Sequence, residues 1–105
     1  MRPFTRYLAF LACLVYTPHL FSAQLSRELT VKRIFSEGSH IAGFYSNEDL
    51  PECKWGIMYM DLSKESGKAI FALILSAKAA NQKIVRIDYR VSDNETCLIN
   101  GLHVQ

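Results

Sequence analysis

No apolar run long enough to cross a bilayer, no C-x-x-C pair and no large surplus of one charge occurs in this 105-residue sequence. A membrane-spanning helix needs about 20 predominantly apolar residues, and the longest such run, Tyr7 to Tyr16, has ten. Without C-x-x-C, and with His40 and His103 at no ligand spacing, the sequence offers no metal set, and no cofactor is expected. Twelve bases face ten acids. Once Arg2 and Arg6 are set aside as part of a removable leader the counts are equal, so the footprint that neutralises phosphates is missing and nucleic acid is a poor partner. G-x-S-x-G, a glycine-rich phosphate loop and H-E-x-x-H are all absent, and the acid pair Glu48-Asp49 lies in a turn with nothing to desolvate it. The sequence therefore describes one small binding domain and not an enzyme.

What is present begins with an export signal. Arg2 and Arg6 precede the uncharged apolar run Tyr7 to Tyr16, and the next charge is Arg27. Pro18, His19, Ser22 and Gln24 interrupt the segment too early for a spanning helix, the alternative being an uncleaved anchor. Small residues at Ser22-Ala23 place the cut after Ala23, give or take a few residues, which leaves residues 1–23 as signal peptide and 24–105 as the domain. The expected location is secreted or periplasmic. The leader takes Cys13 with it, and the even pair that remains, Cys53 and Cys97, reads as one disulfide in an oxidising compartment.

The mature chain reads as strands around one helix. Leu29–Phe35 is β-branched and aromatic and ends at the turn residues Ser36-Glu37-Gly38-Ser39. Ile41–Tyr45 is a second strand whose Gly43 implies a bulge or a close backbone approach. Lys54–Leu62 is apolar on both faces and so is expected to be central. A helix follows, with Ser63 as N-cap, Glu65 in the first turn and Lys78 in the last. Ile70, Leu73, Ile74 and Ala77 share one face, and Phe71 and Leu75 add a second strip. From Ala69 to Ala80 only Ser76 and Lys78 are polar, so this helix has more than one face to hide. Gly67 near its start implies fraying or tight packing, and Asn81 suits the left-handed residue that ends a helix. Ile84–Val91 alternates cleanly, and Cys97–Val104 closes the chain.

The expected fold is thus mostly β with one helix: β-β-β-α-β-β, the order of the five-stranded OB-fold barrel, which binds oligosaccharides or oligonucleotides. The stretch from Trp55 through GKAIFALILSAKAANQKIVRIDY to Cys97 resembles the secreted binding (B) subunits of bacterial one-A, five-B toxins, the subtilase-cytotoxin and pertussis-like group. It covers about half the chain and matches in pattern. The resemblance implies a homopentamer with helices around a central pore, a host-cell-surface glycan as ligand and a separate catalytic subunit as cargo. In that group the sugar is held by loop residues that include a serine near an acid and an aromatic. Tyr45, Ser46, Asn47 and Glu48 supply these ingredients here without matching a family motif, and an ordinary polar turn ending at Pro51 is the competing reading. Trp55, beside Cys53, is expected to pack against the disulfide rather than serve as a stacking platform. Asn94-Glu95-Thr96 matches an N-glycosylation acceptor, informative only in a eukaryote. The alternative function is a periplasmic or secreted protein-binding module, an inhibitor or envelope protein, on the same fold.

Overall fold

The computed structural model describes residues 21–105; residues 1–20, which carry most of the expected leader, lie outside it. Strands β1 (Phe21–Leu25), β2 (Val31–Glu37), β3 (Ile41–Ser46) and β4 (Ile57–Asp61) precede helix α1 (Glu65–Ala79), and β5 (Ile84–Val91) and β6 (Cys97–Val104) follow it. The strands form one sheet in the order β1-β5-β6-β4-β3-β2.

This corrects the expected fold in two respects. The sheet has six strands rather than five, and it is open rather than a closed barrel, with β1 and β2 at its edges. The added strand falls where the sequence reads as the end of a leader: Ala23 pairs with Tyr89 inside β1, so cleavage after Ala23 would leave only Gln24 and Leu25 of that strand. Five residues carry too little pattern to announce a strand; pairing along β5 is what makes one. Closure fails because β1 pairs with β5 while β2 pairs with β3, and the intervening segment contributes one isolated bridge, Leu29 to Ile84. Its two N–H···O bonds are both 2.8 Å.

The order of three strands, helix and two strands does hold from Val31 onward. As its two-sided apolar pattern implies, β4 is central, antiparallel to β3 and parallel to β6 through Met58↔Cys97 and Tyr59↔Leu98. Its first three expected residues form instead a short 3-10 turn, Lys54–Gly56. Phe44, Met58, Met60, Ile74, Ile84 and Ile87 are fully buried between the sheet and α1, which lies against β6, β4 and β2. Cys53 and Cys97 form the expected disulfide, with Cα atoms 5.4 Å apart. In β5 the expected alternation holds at the buried Ile87 and Tyr89 but shifts at the start, where Ile84 is buried in place of Val85 because the register slips between Ile84 and Arg86.

The helix starts one residue later than its sequence suggests. Ser63 is not the cap; Lys64 holds that position without a side-chain bond, while Ser63 donates its N–H (2.9 Å) and hydroxyl (2.6 Å) to Asp61 Oδ1. At the other end Asn81 adopts φ +56°, and the bonds from Gln82 N to Ala77 O (2.8 Å) and Asn81 N to Lys78 O (3.3 Å) complete a Schellman ending. The buried stripe is Gly67, Ile70, Ile74 and Ala77. Leu73, expected on that stripe, is 40% exposed and Leu75 46%, so both face outward, while Phe71 of the second strip is half-buried against the core.

Gly67 marks tight packing. A Cβ there would lie 1.8 Å from the Asp61 carbonyl oxygen. In Gly67→Ala, helix propensity gains about 1 kcal/mol, but the clash is with backbone and forces α1 off β4. A net loss of about 2 kcal/mol is expected from overpacking, read as a lower thermal midpoint; an unchanged or raised midpoint would show that the helix is free to slide. Replacing both Cys53 and Cys97 by Ser should cost about 4 kcal/mol in chemical denaturation, since the bridge closes a loop of some forty residues.

Candidate functional site

The face of the sheet opposite α1 is lined along β2, β3 and β4 by side chains that the pleat turns outward. Phe35 pairs with Gly43, which pairs with Tyr59, and Arg33 pairs with Tyr45. Gly43 explains the cluster. A Cβ at that position would meet Phe35 Cζ at 2.5 Å, so only glycine lets the Phe35 ring lie flat across β3. From there Phe35 reaches both tyrosines: its ring centroid is 5.7 Å from Tyr45 and 5.8 Å, edge-on, from Tyr59. All three rings are half-buried. Burial, with smaller contributions from Tyr45 and the Glu37 carboxylate, pushes the Tyr59 hydroxyl above its ordinary pKa.

Beside this cluster the register of β2 slips between Val31 and Arg33, leaving Lys32 as the extra residue of a bulge. A bulge re-aims side chains, and here it sets Lys32 and Arg33 around one recess. The recess has a volume of about 150 Å³ and is lined by Lys32, Arg33, Tyr45 and Ser46. The Arg33 guanidinium stands 4.2 Å from the Tyr45 ring centroid, a cation–π contact that holds the ring upright as one wall. Two of the four residues singled out from sequence, Tyr45 and Ser46, thus meet in a cavity.

Asn47 and Glu48 do not line it; they are anchors. Glu48 receives the Thr30 N–H at 2.7 Å and the Thr30 hydroxyl at 2.9 Å. Asn47 donates its N–H to Thr30 O (3.0 Å) and its side-chain amide to Thr30 Oγ1 (2.8 Å). Ser46 Oγ accepts the Glu48 N–H at 2.9 Å and donates to the Glu48 carbonyl at 2.6 Å. Farther along the same loop, Arg27 grips both Glu52 carboxylate oxygens, at 2.7 and 3.1 Å, and the Asp49 carbonyl at 2.7 Å. The loop from Ser46 to Cys53 is therefore fixed at its start, middle and end, and the recess is preformed. Lys32, Arg33, Phe35 and Tyr59 escaped the sequence reading. The signal available was the polar pair Lys32-Arg33 breaking the alternation of the first strand, which marks a bulge.

Trp55 departs from expectation more sharply. It does not pack on the disulfide but is 72% exposed, at φ +60° and ψ +11°. Positive φ in so bulky a residue is a strained conformation, worth about 1–3 kcal/mol. The disulfide at Cys53 and the bonds from Lys54 N to Glu95 O (2.9 Å) and Gly56 N to Cys53 O (3.0 Å) hold it there. His40 and His103 are exposed and far from the recess-lining residues in the sheet register, and Asn94 is an exposed turn residue whose side chain accepts the Thr96 N–H. Among the described residues no three His, Cys, Asp or Glu side chains gather into a metal-binding group.

No protein-family model, curated protein or solved structure matches this chain.

Two loop anchors carry a pH signature. Burial by itself would raise the Glu48 pKa, but the hydrogen bonds from Thr30, from its own N–H and from Ser46 outweigh it and set it below the usual carboxylate value. The Arg27 hydrogen bonds do the same for Glu52 against a smaller burial effect. Depressed folded-state values contribute stability that is present above the unfolded carboxylate pKa of about 4.3 and is lost as pH falls through the folded values. The thermal midpoint is expected to drop on acidification below about pH 4.3. Glu48→Gln should lower the midpoint at neutral pH and flatten that drop; parallel curves for the two proteins would remove Glu48 from the account.

Proposed function

We propose that this chain is an exported glycan-binding subunit of a toxin-like assembly. The observation that carries the reading is the recess beside Arg33 and Tyr45, continuous with the Phe35 and Tyr59 rings on the sheet face that α1 leaves open. Sugar recognition calls for an aromatic wall against the apolar side of a pyranose and a few fixed polar groups for its hydroxyls. Tyr45 supplies the wall, and Lys32, Arg33 and the Ser46 hydroxyl supply the polar groups. The volume suits one ring rather than a long chain.

The run β2-β3-β4-β6-β5, with β4 and β6 parallel and the helix between β4 and β5, follows the strand order of an OB-fold. In such folds the second and third strands carry the ligand face, and their counterparts β3 and β4 hold Tyr45 and Tyr59. The disulfide favours an oxidising compartment, and no helix of the described residues is long and apolar enough to cross a membrane.

Outward-facing Leu73 and Leu75 support the pentameric half of the proposal. Helices arranged around a pore would cover them with the same strip of neighbouring copies, and a catalytic partner would ride on that ring. These leucines equally favour the second reading, a secreted module that docks one different protein through α1.

Light scattering on the oxidised protein separates the two. A pentamer that falls apart in the Leu73→Lys, Leu75→Lys double variant is expected, and a strict monomer would remove the toxin-subunit reading. On a glycan array, Tyr45→Ala and Arg33→Ala should each weaken the strongest signals by about tenfold, while Lys68→Ala, exposed on the helix and paired with Glu65, should leave them unchanged.

A further inference from the structure

Trp55 has no role in the fold or in the recess, yet the structure holds it exposed at a conformational cost. Its surroundings identify what it receives. The Lys54 ammonium stands 4.6 Å from the ring centroid and covers one face of the indole, so the opposite face is the one available for contact. Beside it Gly56, at φ +67°, has nothing within 4 Å of where a Cβ would lie, which keeps the approach to the ring clear.

Among the described residues the other exposed large apolar side chains are Ile41, Leu73 and Leu75. Ile41 begins β3, at the end of the strand away from Tyr45 and its partner Ile57, and the leucines belong to α1. Trp55 is therefore separate from the other exposed large apolar side chains among the described residues. A membrane surface or a protein hot spot calls for a contiguous apolar patch around the anchor, and none is present. A single open aromatic face, with the Lys54 ammonium against the opposite one, matches a ligand with one small apolar face and hydroxyls at its edge.

We propose that Trp55 is a second pyranose-stacking platform, separate from the Tyr45 recess. It extends the glycan-binding reading to a further subsite, at the same end of the sheet, since Tyr45 pairs with Ile57 two residues beyond Trp55. The Cys53–Cys97 bridge and the Lys54–Glu95 backbone bond keep the ring rigid, so stacking orders little that is not ordered already.

Trp55 is the sole tryptophan, so its emission reports the site directly. The full exported protein is titrated with methyl β-galactopyranoside, methyl β-glucopyranoside, methyl α-mannopyranoside and lactose, and acrylamide quenching is measured at each point. At least one saccharide should lower the quenching constant by about twofold at millimolar concentration, in the native protein and equally in Tyr45→Ala. Trp55→Gly suits the positive φ and is expected to unfold no earlier than the native protein. By calorimetry its binding of that saccharide should be about tenfold weaker, with Trp55→Phe between the two.

Loss of the fluorescence response in Tyr45→Ala would mean that the ring merely senses the recess, and would overturn the proposal. So would protection by phosphatidylcholine vesicles and by no saccharide. Conversely, saccharide binding that survives Tyr45→Ala and Arg33→Ala but fails in Trp55→Gly removes the recess reading and leaves this one standing.

Discussion

The sheet depends on one short parallel seam. Strands β2, β3 and β4 form one antiparallel group and β6, β5 and β1 another, and the groups are joined only where β4 meets β6, through two residue pairs. A ladder that short is a weak joint between two halves of a sheet. It is reinforced from two directions. The Cys53–Cys97 bridge ties the chain just before β4 to the first residue of β6. Helix α1 lies across β6, β4 and β2, with Ile70 and Ile74 buried over the joint, so the halves cannot separate without exposing the core. Gly67 belongs to this arrangement, because its missing Cβ is what lets the helix start settle on the Asp61 carbonyl at the end of β4.

The same bridge organises the functional end of the molecule. Cys53 terminates the loop pinned by Thr30, Glu48, Arg27 and Glu52, and it also begins the turn that lifts Trp55 into solvent. One covalent bond thereby immobilises both the floor beside the recess and the isolated indole. The polar residues of the loop hold one another, and the recess is lined mainly by residues on strands. Side chains projecting from paired strands keep their positions better than side chains of a free loop, and Arg33 and Tyr45 are of that kind.

Much of this was legible in the sequence where pattern and structure share one cause. The helix, its left-handed ending at Asn81, the strand from Ile84 to Val91 and the strand from Cys97 to Val104 follow from periodicity and turn residues, which act locally. The disulfide followed from an even cysteine count. What stayed hidden depends on distant partners. Strand β1 exists through β5, the outward turn of Leu73 is set by where α1 rests, and the open sheet results from β1 and β2 choosing different neighbours. Of the candidate site, Tyr45 and Ser46 were readable as an aromatic and a hydroxyl beside a turn. Asn47 and Glu48 have the chemistry of ligand-binding residues, but Thr30, seventeen residues upstream of Asn47, claims them. The exposure of Trp55 was beyond reach, since tryptophan itself favours neither solvent nor positive φ.

The bulge at Lys32 has a second effect, apart from shaping the recess. As an outermost strand, β2 offers a row of backbone donors and acceptors to whatever chain drifts alongside. An uninterrupted β-branched edge of seven residues would seed fibre growth at high concentration. The slipped register breaks the repeat that such growth copies, and the adjacent Lys32 and Arg33 repel an identical edge approaching from another molecule. The irregularity that shapes the recess therefore also protects this margin of the sheet against runaway polymerisation.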